Sequence, residues 1–149
     1  MGKLEQDFLR RIVLRERDKP GGVAPGLIGH TVRFILDQGY HVVLEGILYS
    51  RKYGDMIRSL GRSHRGQTTY YYLDVSLEET LRRHQMRPQA TEFTMDDMRG
   101  WYAPHDVLNV DGEHIIDESS SMERTIEYIA AAAGVPLNRR EDDFQPTTR

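Results

Sequence analysis

A few charged positions in this chain could do chemistry. The run Leu81-Arg82-Arg83-His84-Gln85-Met86-Arg87-Pro88 sets Arg83 and Arg87 four residues apart, which puts both guanidiniums on one face of a helix. Two planar, permanently charged forks aimed at one point suit phosphate oxygens and the charge of a transferring phosphoryl group. The same pair also reads as a solvated basic face. Glu45 closes the apolar run Tyr40-His41-Val42-Val43-Leu44, ahead of Gly46. At the carboxyl end of a strand a glutamate can hold a metal-bound water or orient a phosphoryl acceptor, or it can cap the next turn. Asp7 lies just before Arg10 and Arg11. It could take a proton from a substrate hydroxyl, or serve as a first-turn aspartate favoured by the helix dipole. Asp117-Glu118-Ser119-Ser120-Ser121 leads from a strand into a helix, where serines act as caps and where a nucleotide base could rest. Trp101-Tyr102 reads as core filling in preference to ligand stacking. The six histidines show no H-x-x-x-H pair or other zinc spacing, and nothing resembles a Ser/His/Asp nucleophile elbow.

These residues must be positioned by an alternation of helices and strands. Leu4, Phe8 and Ile12, with Leu9 and Val13 beside them, predict the apolar face of a first helix. Asp18-Lys19-Pro20-Gly21-Gly22 ends it as a loop. Pro25 suits a first helical turn; Ile28, Val32, Ile35 and Leu36 form the next stripe, and Gly39 closes that helix. The run from Tyr40 to Gly46 shows no alternation and predicts a strand covered on both faces, as in parallel sheets. A helix follows from about Arg51 to His64, with Tyr53, Ile57 and Leu60 inward. Thr68 to Val75 is a second strand. Ser76-Leu77-Glu78-Glu79 is a capping box opening a helix with Leu77, Leu81 and His84 inward, broken by Pro88. Thr94-Met95-Asp96-Asp97 starts a short helix through Trp101, and Pro104 to Gly112 is a loop. Glu113 to Asp117 is a third strand. Ser120 to Ala133 is the last helix, with Met122, Ile126 and Ile129 inward. Asn138 to Arg149 reads as a flexible polar tail.

At 149 residues the chain can form one domain with its own core. Lys+Arg number 20 and Asp+Glu 23, a net charge of −3, which argues against a protein that coats nucleic acid. Cysteine is absent, so there is no disulfide framework and no thiolate chemistry, as suits a reducing cytoplasm. No apolar run approaches the roughly 20 residues of a membrane helix, and the N-terminus lacks a signal-peptide apolar region. A cytoplasmic protein without nucleic-acid or membrane partners is expected.

Three segments taken in order carry a resemblance: Glu5-Gln6-Asp7-Phe8-Leu9-Arg10-Arg11, then Val42-Val43-Leu44-Glu45-Gly46-Ile47-Leu48-Tyr49, then Tyr71-Tyr72-Leu73-Asp74-Val75-Ser76 through Arg83 and His84 with Arg87 beyond. Over roughly residues 5–131 the chain resembles the small bacterial P-loop kinases related to zeta toxins and chloramphenicol phosphotransferase, often grouped with AAA-type ATPases. That resemblance implies a three-layer α/β fold, a parallel sheet with helices on both faces. It also implies transfer of a phosphoryl group from ATP, with Mg2+, to a small-molecule hydroxyl. Asp7 then matches the acceptor-side carboxylate and general base. Glu45 matches the acid that organises metal or water, with no protein-only metal site expected. Arg83 and Arg87 match the lid arginines, Arg10 and Arg11 acceptor-binding residues, and Ser119 with its loop the turn near the adenine.

One motif of that class is not in the chain. G-x-x-x-x-G-K-[S/T], whose backbone amides cradle phosphates and whose lysine reaches them, is missing. Gly2-Lys3-Leu4 lacks both the earlier glycine and the hydroxyl. By this resemblance residues 1–137 form an incomplete kinase-like domain that starts just after the family's second strand and so lacks the first two, followed by a tail over 138–149. In the family fold the absent P-loop strand lies between the strand ending at Glu45 and the one from Thr68 to Val75, so these two either close up and pair or leave a gap. The alternatives to a kinase are a non-catalytic kinase-like binding module and an N-terminally truncated fragment.

Overall fold

The computed structural model describes residues 2–86 and 93–136. Arg87 and the tail 138–149 lie outside the described residues. The elements run β1 (Gly2–Glu5), a π-helix (Phe8–Val13), α1 (Ala24–Asp37), β2 (Val42–Glu45), α2 (Ser50–Ser63), β3 (Tyr70–Asp74), α3 (Leu77–Gln85), α4 (Met95–Trp101), β4 (Glu113–Asp117) and α5 (Met122–Ala132). This is an α/β protein built on parallel strand pairs. β1 pairs with β2 in the register Gly2↔Val42 to Glu5↔Glu45, and β3 with β4 from Tyr70↔Glu113 to Asp74↔Asp117. Among the described residues β2 and β3 are not paired with each other, so the two pairs form separate two-stranded sheets joined through α2. No described helix is long and apolar enough to cross a membrane.

The first helix expected from Leu4, Phe8 and Ile12 is not formed as such. Residues 2–5 are a strand, with Leu4 in the core at 7% exposure. The following helix is π-type and turns Leu9 and Leu14 inward instead, leaving Phe8, Ile12 and Val13 exposed. The reason is the pitch: i→i+5 bonding groups residues five apart, as in Leu14 N donating to Leu9 O at 3.0 Å. The next two helices follow their apolar stripes. In α1 Ile28 and Val32 are buried, Pro25 sits in the first turn, and Gly39 lies beyond the end with φ +80°. In α2 Tyr53 and Leu60 are buried. Leu4, Ala24, Ile28, Val32, Tyr53 and Leu60 form one cluster, so this core lies wholly within residues 4–60.

The second half is thinner. Among the described residues its buried side chains are Leu81, His84, Ile116 and Ala130. Met122 and Ile126 of α5, expected inward, are 71% and 47% exposed; α5 packs instead through Ala130, with Thr125 and Ile129 half-buried. Nor are the strands covered on both faces as an unalternating run predicts: Val43, Leu73 and Ile115 are about half exposed. Leu73 and Ile116 are register partners and share a face, yet Ile116 is 8% and Leu73 58% exposed, so cover stops at β3.

Hydrogen bonds from one connection tie the halves together. In the 102–110 segment, Asp106 Oδ2 accepts from Ser50 N at 2.9 Å and Asp106 N donates to the Tyr72 hydroxyl at 3.0 Å. Arg58 donates to Leu108 O at 3.1 Å, and Tyr49 to Trp101 O. Glu113 accepts from Leu108 N and Asn109 N, both at 2.9 Å, which closes the turn into β4.

Candidate functional site

In open parallel sheets ligands gather beyond the carboxyl ends of the strands; of the candidate residues, Asp7, Glu45 and Ser119 sit at or just past such ends, while Arg10 and Arg11 lie in the π-helix and Arg83 in α3. Gln6 and Asp7 follow β1, Glu45 and Gly46 close β2, Asp74 closes β3, and Asp117 to Ser119 follow β4. The β1 and β2 ends are packed against each other. Gly46 has φ +143°, and a Cβ there would lie 2.7 Å from Gln6 Cβ, so only glycine fits. Gln6 is 1% exposed and donates from Nε2 to the Tyr53 hydroxyl at 2.9 Å, which in turn donates to Asp18 at 3.2 Å. Burial, then the nearby Asp18 charge, push the Tyr53 phenol above its ordinary range despite the Gln6 hydrogen bond. Lys52 donates to Asp18 at 2.5 Å, and although burial lowers its pKa, that bond and the nearby acids leave it raised overall.

The carboxylates proposed for chemistry are each engaged. Asp7 accepts from Arg10 Nη2 at 2.6 Å and lies 3.5 Å from Arg11 Nη1. Arg10 also donates to Glu16 O at 3.1 Å, and the Arg11 guanidinium stands over the Phe93 ring at 4.9 Å. Asp7, Arg10 and Arg11 are thus brought together, and Arg11 joins them to the segment leading into α4. Glu45 lies 3.7 Å from Lys3 Nζ, which binds Glu5 at 2.6 Å. Arg83 donates from Nε to Glu79 at 2.6 Å and from Nη2 to Glu118 O at 2.8 Å. Among the described residues no hydrogen bond or ion pair joins Arg83 to Asp7 or Glu45; Arg87 lies outside the described residues. Hydrogen bonds from Arg82 and Arg83 hold the Glu79 carboxyl down to about 2. The capping box at Ser76 is therefore shared: Ser76 accepts from Glu79 N, but Glu118 supplies the carboxylate for Ser76 N, at 2.8 Å.

Two recesses flank β3 and β4. One, of about 290 Å³, is lined by Ile115, Ile116, Asp117, Ser119, Ser120, Arg124 and Tyr128. Ser119 lies on its wall, where its hydroxyl and N–H donate to Asp117 at 2.5 and 2.8 Å and hold that carboxyl below the usual range. Arg124 and Tyr128 were not among the expected site residues. Their four-residue spacing on the last helix is the signal that could have found them, masked by the stripe read through Met122 and Ile126. The second recess, of about 140 Å³, is lined by Leu73, Val75, Thr80, Arg83, His84 and Met98. On the other face of β3, His105 takes φ +49° and places Nδ1 3.1 Å from Asp74 Oδ2.

The larger recess offers hydroxyls, a carboxylate, a guanidinium and an aromatic ring, a donor set that fits a nucleotide's base and ribose. Glu45 faces Lys3, and among the described residues no three acidic or histidine side chains converge. Comparisons with models of protein families, with characterised proteins and with solved structures return no match for this chain.

Proposed function

We propose that the chain is a kinase-like α/β module of the P-loop class that takes ATP at the carboxyl ends of β3 and β4 and passes a phosphoryl group to a small-molecule hydroxyl. The observation that carries this reading is the recess beside Ser119, lined by the end of β4, the loop after it and α5, since open parallel sheets take ligands beyond their strand ends. In this reading Arg124 and Ser119 hold the nucleotide, Arg83 neutralises phosphate charge after exchanging Glu118 O for ligand oxygens, and Asp7 receives the acceptor's proton between Arg10 and Arg11. A second reading, ligand binding without transfer, is favoured by the internal pairing of Asp7, Glu45 and Arg83.

Calorimetric titration with ATP tests both. Binding is expected, weakened about tenfold or more by Arg124→Ala through loss of a charged hydrogen bond. Turnover of ATP that depends on an added alcohol or sugar, lost in Arg83→Ala, selects the transferase. Binding without turnover selects the binding module. Titrations of ATP and GTP without heat would overturn both readings.

A further inference from the structure

The segment after β1 sorts its side chains by side. Across the π-helix Leu9 and Leu14 face the core, while Phe8, Ile12 and Val13 stand outward at 53%, 63% and 54% exposure. The next five residues alternate in charge: Arg15, Glu16, Arg17, Asp18, Lys19. Their acids turn inward. Lys52 of α2 lies 2.5 Å from Asp18 Oδ1 and 3.8 Å from Glu16 Oε1, and Glu16 Oε2 accepts from Val23 N at 3.0 Å. Arg15, Arg17 and Lys19 are exposed. Both acids lie against one cation from another element, Lys52, so residues 8–19 of a chain of net charge −3 expose apolar side chains followed by cations.

We propose that this segment docks on an anionic phospholipid surface, with Phe8, Ile12 and Val13 entering the headgroup boundary and Arg15, Arg17 and Lys19 meeting lipid phosphates. Aliphatic side chains standing this far out can enter a fluid boundary without a complementary pocket. Ile12 and Val13 offer nothing to a nucleic acid, whose binders combine cations with stacking rings. The proposal departs from the expectation of no membrane partner, which rested on the lack of a spanning apolar run and of a signal-peptide region.

Cosedimentation of the full chain with phosphatidylcholine vesicles, with and without phosphatidylserine, tests it. Binding is expected only with phosphatidylserine and is weakened by salt. Each cation removed should cost about fivefold in affinity, so Arg15→Gln, Arg17→Gln and Lys19→Gln together should lower it about a hundredfold. Phe8→Ser with Ile12→Ser should also release the chain from phosphatidylserine vesicles, with an unchanged circular dichroism spectrum. Equal pelleting with both vesicle types, or binding unaffected by the two sets of variants, would overturn the assignment. So would capture by polyglutamate or DNA with no vesicle binding.

Discussion

At the scale of single residues, the contacts that matter most join positions far apart in sequence. Tyr53 is fully buried, and its hydroxyl both accepts from Gln6 and donates to Asp18. Tyr53→Phe strands the Gln6 amide in the core and should cost about 1–3 kcal/mol in urea unfolding. The apolar spacing of Tyr53 was legible in the sequence; its polar partners, 47 and 35 residues away, were not. Glu79 was legible as a capping residue, but its carboxylate is drawn off by Arg82 and Arg83. Its pKa, lowered to about 2 from a usual value near 4.5, gives a signed expectation. The contribution of these contacts to α3 is complete above the usual value and is lost as pH falls through about 2. Carbon-detected NMR should find Glu79 titrating near the lower value, and Arg83→Ala should move it upward.

At the scale of elements, type and order were legible from α1 onward, but the strand Gly2–Glu5 was hidden in an apolar stripe that reads as helix, and faces were less legible. The strands at Val42, Tyr70 and Glu113 and the helices from Ala24 and Ser50 lie where apolar spacing, Pro25 and Gly39 put them. The faces of the π-helix and α5 were misread because a 3.6-residue period was applied to a π-type segment, and because α5 packs through small Ala130 while Met122 stays out. Which element caps which was not readable locally. Tyr49 offers no cap to α2; Asp106 does so from 56 residues away. Asp106→Ala should lower stability by about 0.5–2 kcal/mol. Amide exchange should quicken in the first turn of α2, at Ser50 to Tyr53, and a change confined to the 102–110 loop would show that the cap carries no weight.

At the scale of the whole molecule, the sheet is divided between a well-packed half and a thin one. Among the described residues β2 and β3 do not pair with each other, one of the outcomes the sequence left open. Which outcome holds depends on packing that sequence periodicity does not encode. Two-stranded parallel pairs are weak alone and depend on helices for cover. β1 and β2 have that cover from α1, α2 and the Leu4–Leu60 cluster, whereas β3 and β4 rest on Leu81, Ile116 and Ala130 with Leu73 and Ile115 exposed. The halves communicate chiefly through polar contacts such as Asp106 with Ser50 and Arg58 with Leu108, each worth only about 1 kcal/mol net. Cooperativity should therefore be incomplete. The single tryptophan, Trp101, reports the thin half from the end of α4. Its fluorescence transition in urea should come at lower denaturant than the far-ultraviolet circular dichroism transition, which most of the helical content of α1 and α2 will dominate. Asp106→Ala, by cutting a tie between the halves, should move the fluorescence midpoint down further and leave the later transition nearly in place. Coincident midpoints in the parent chain would mean that the two strand pairs unfold as one unit.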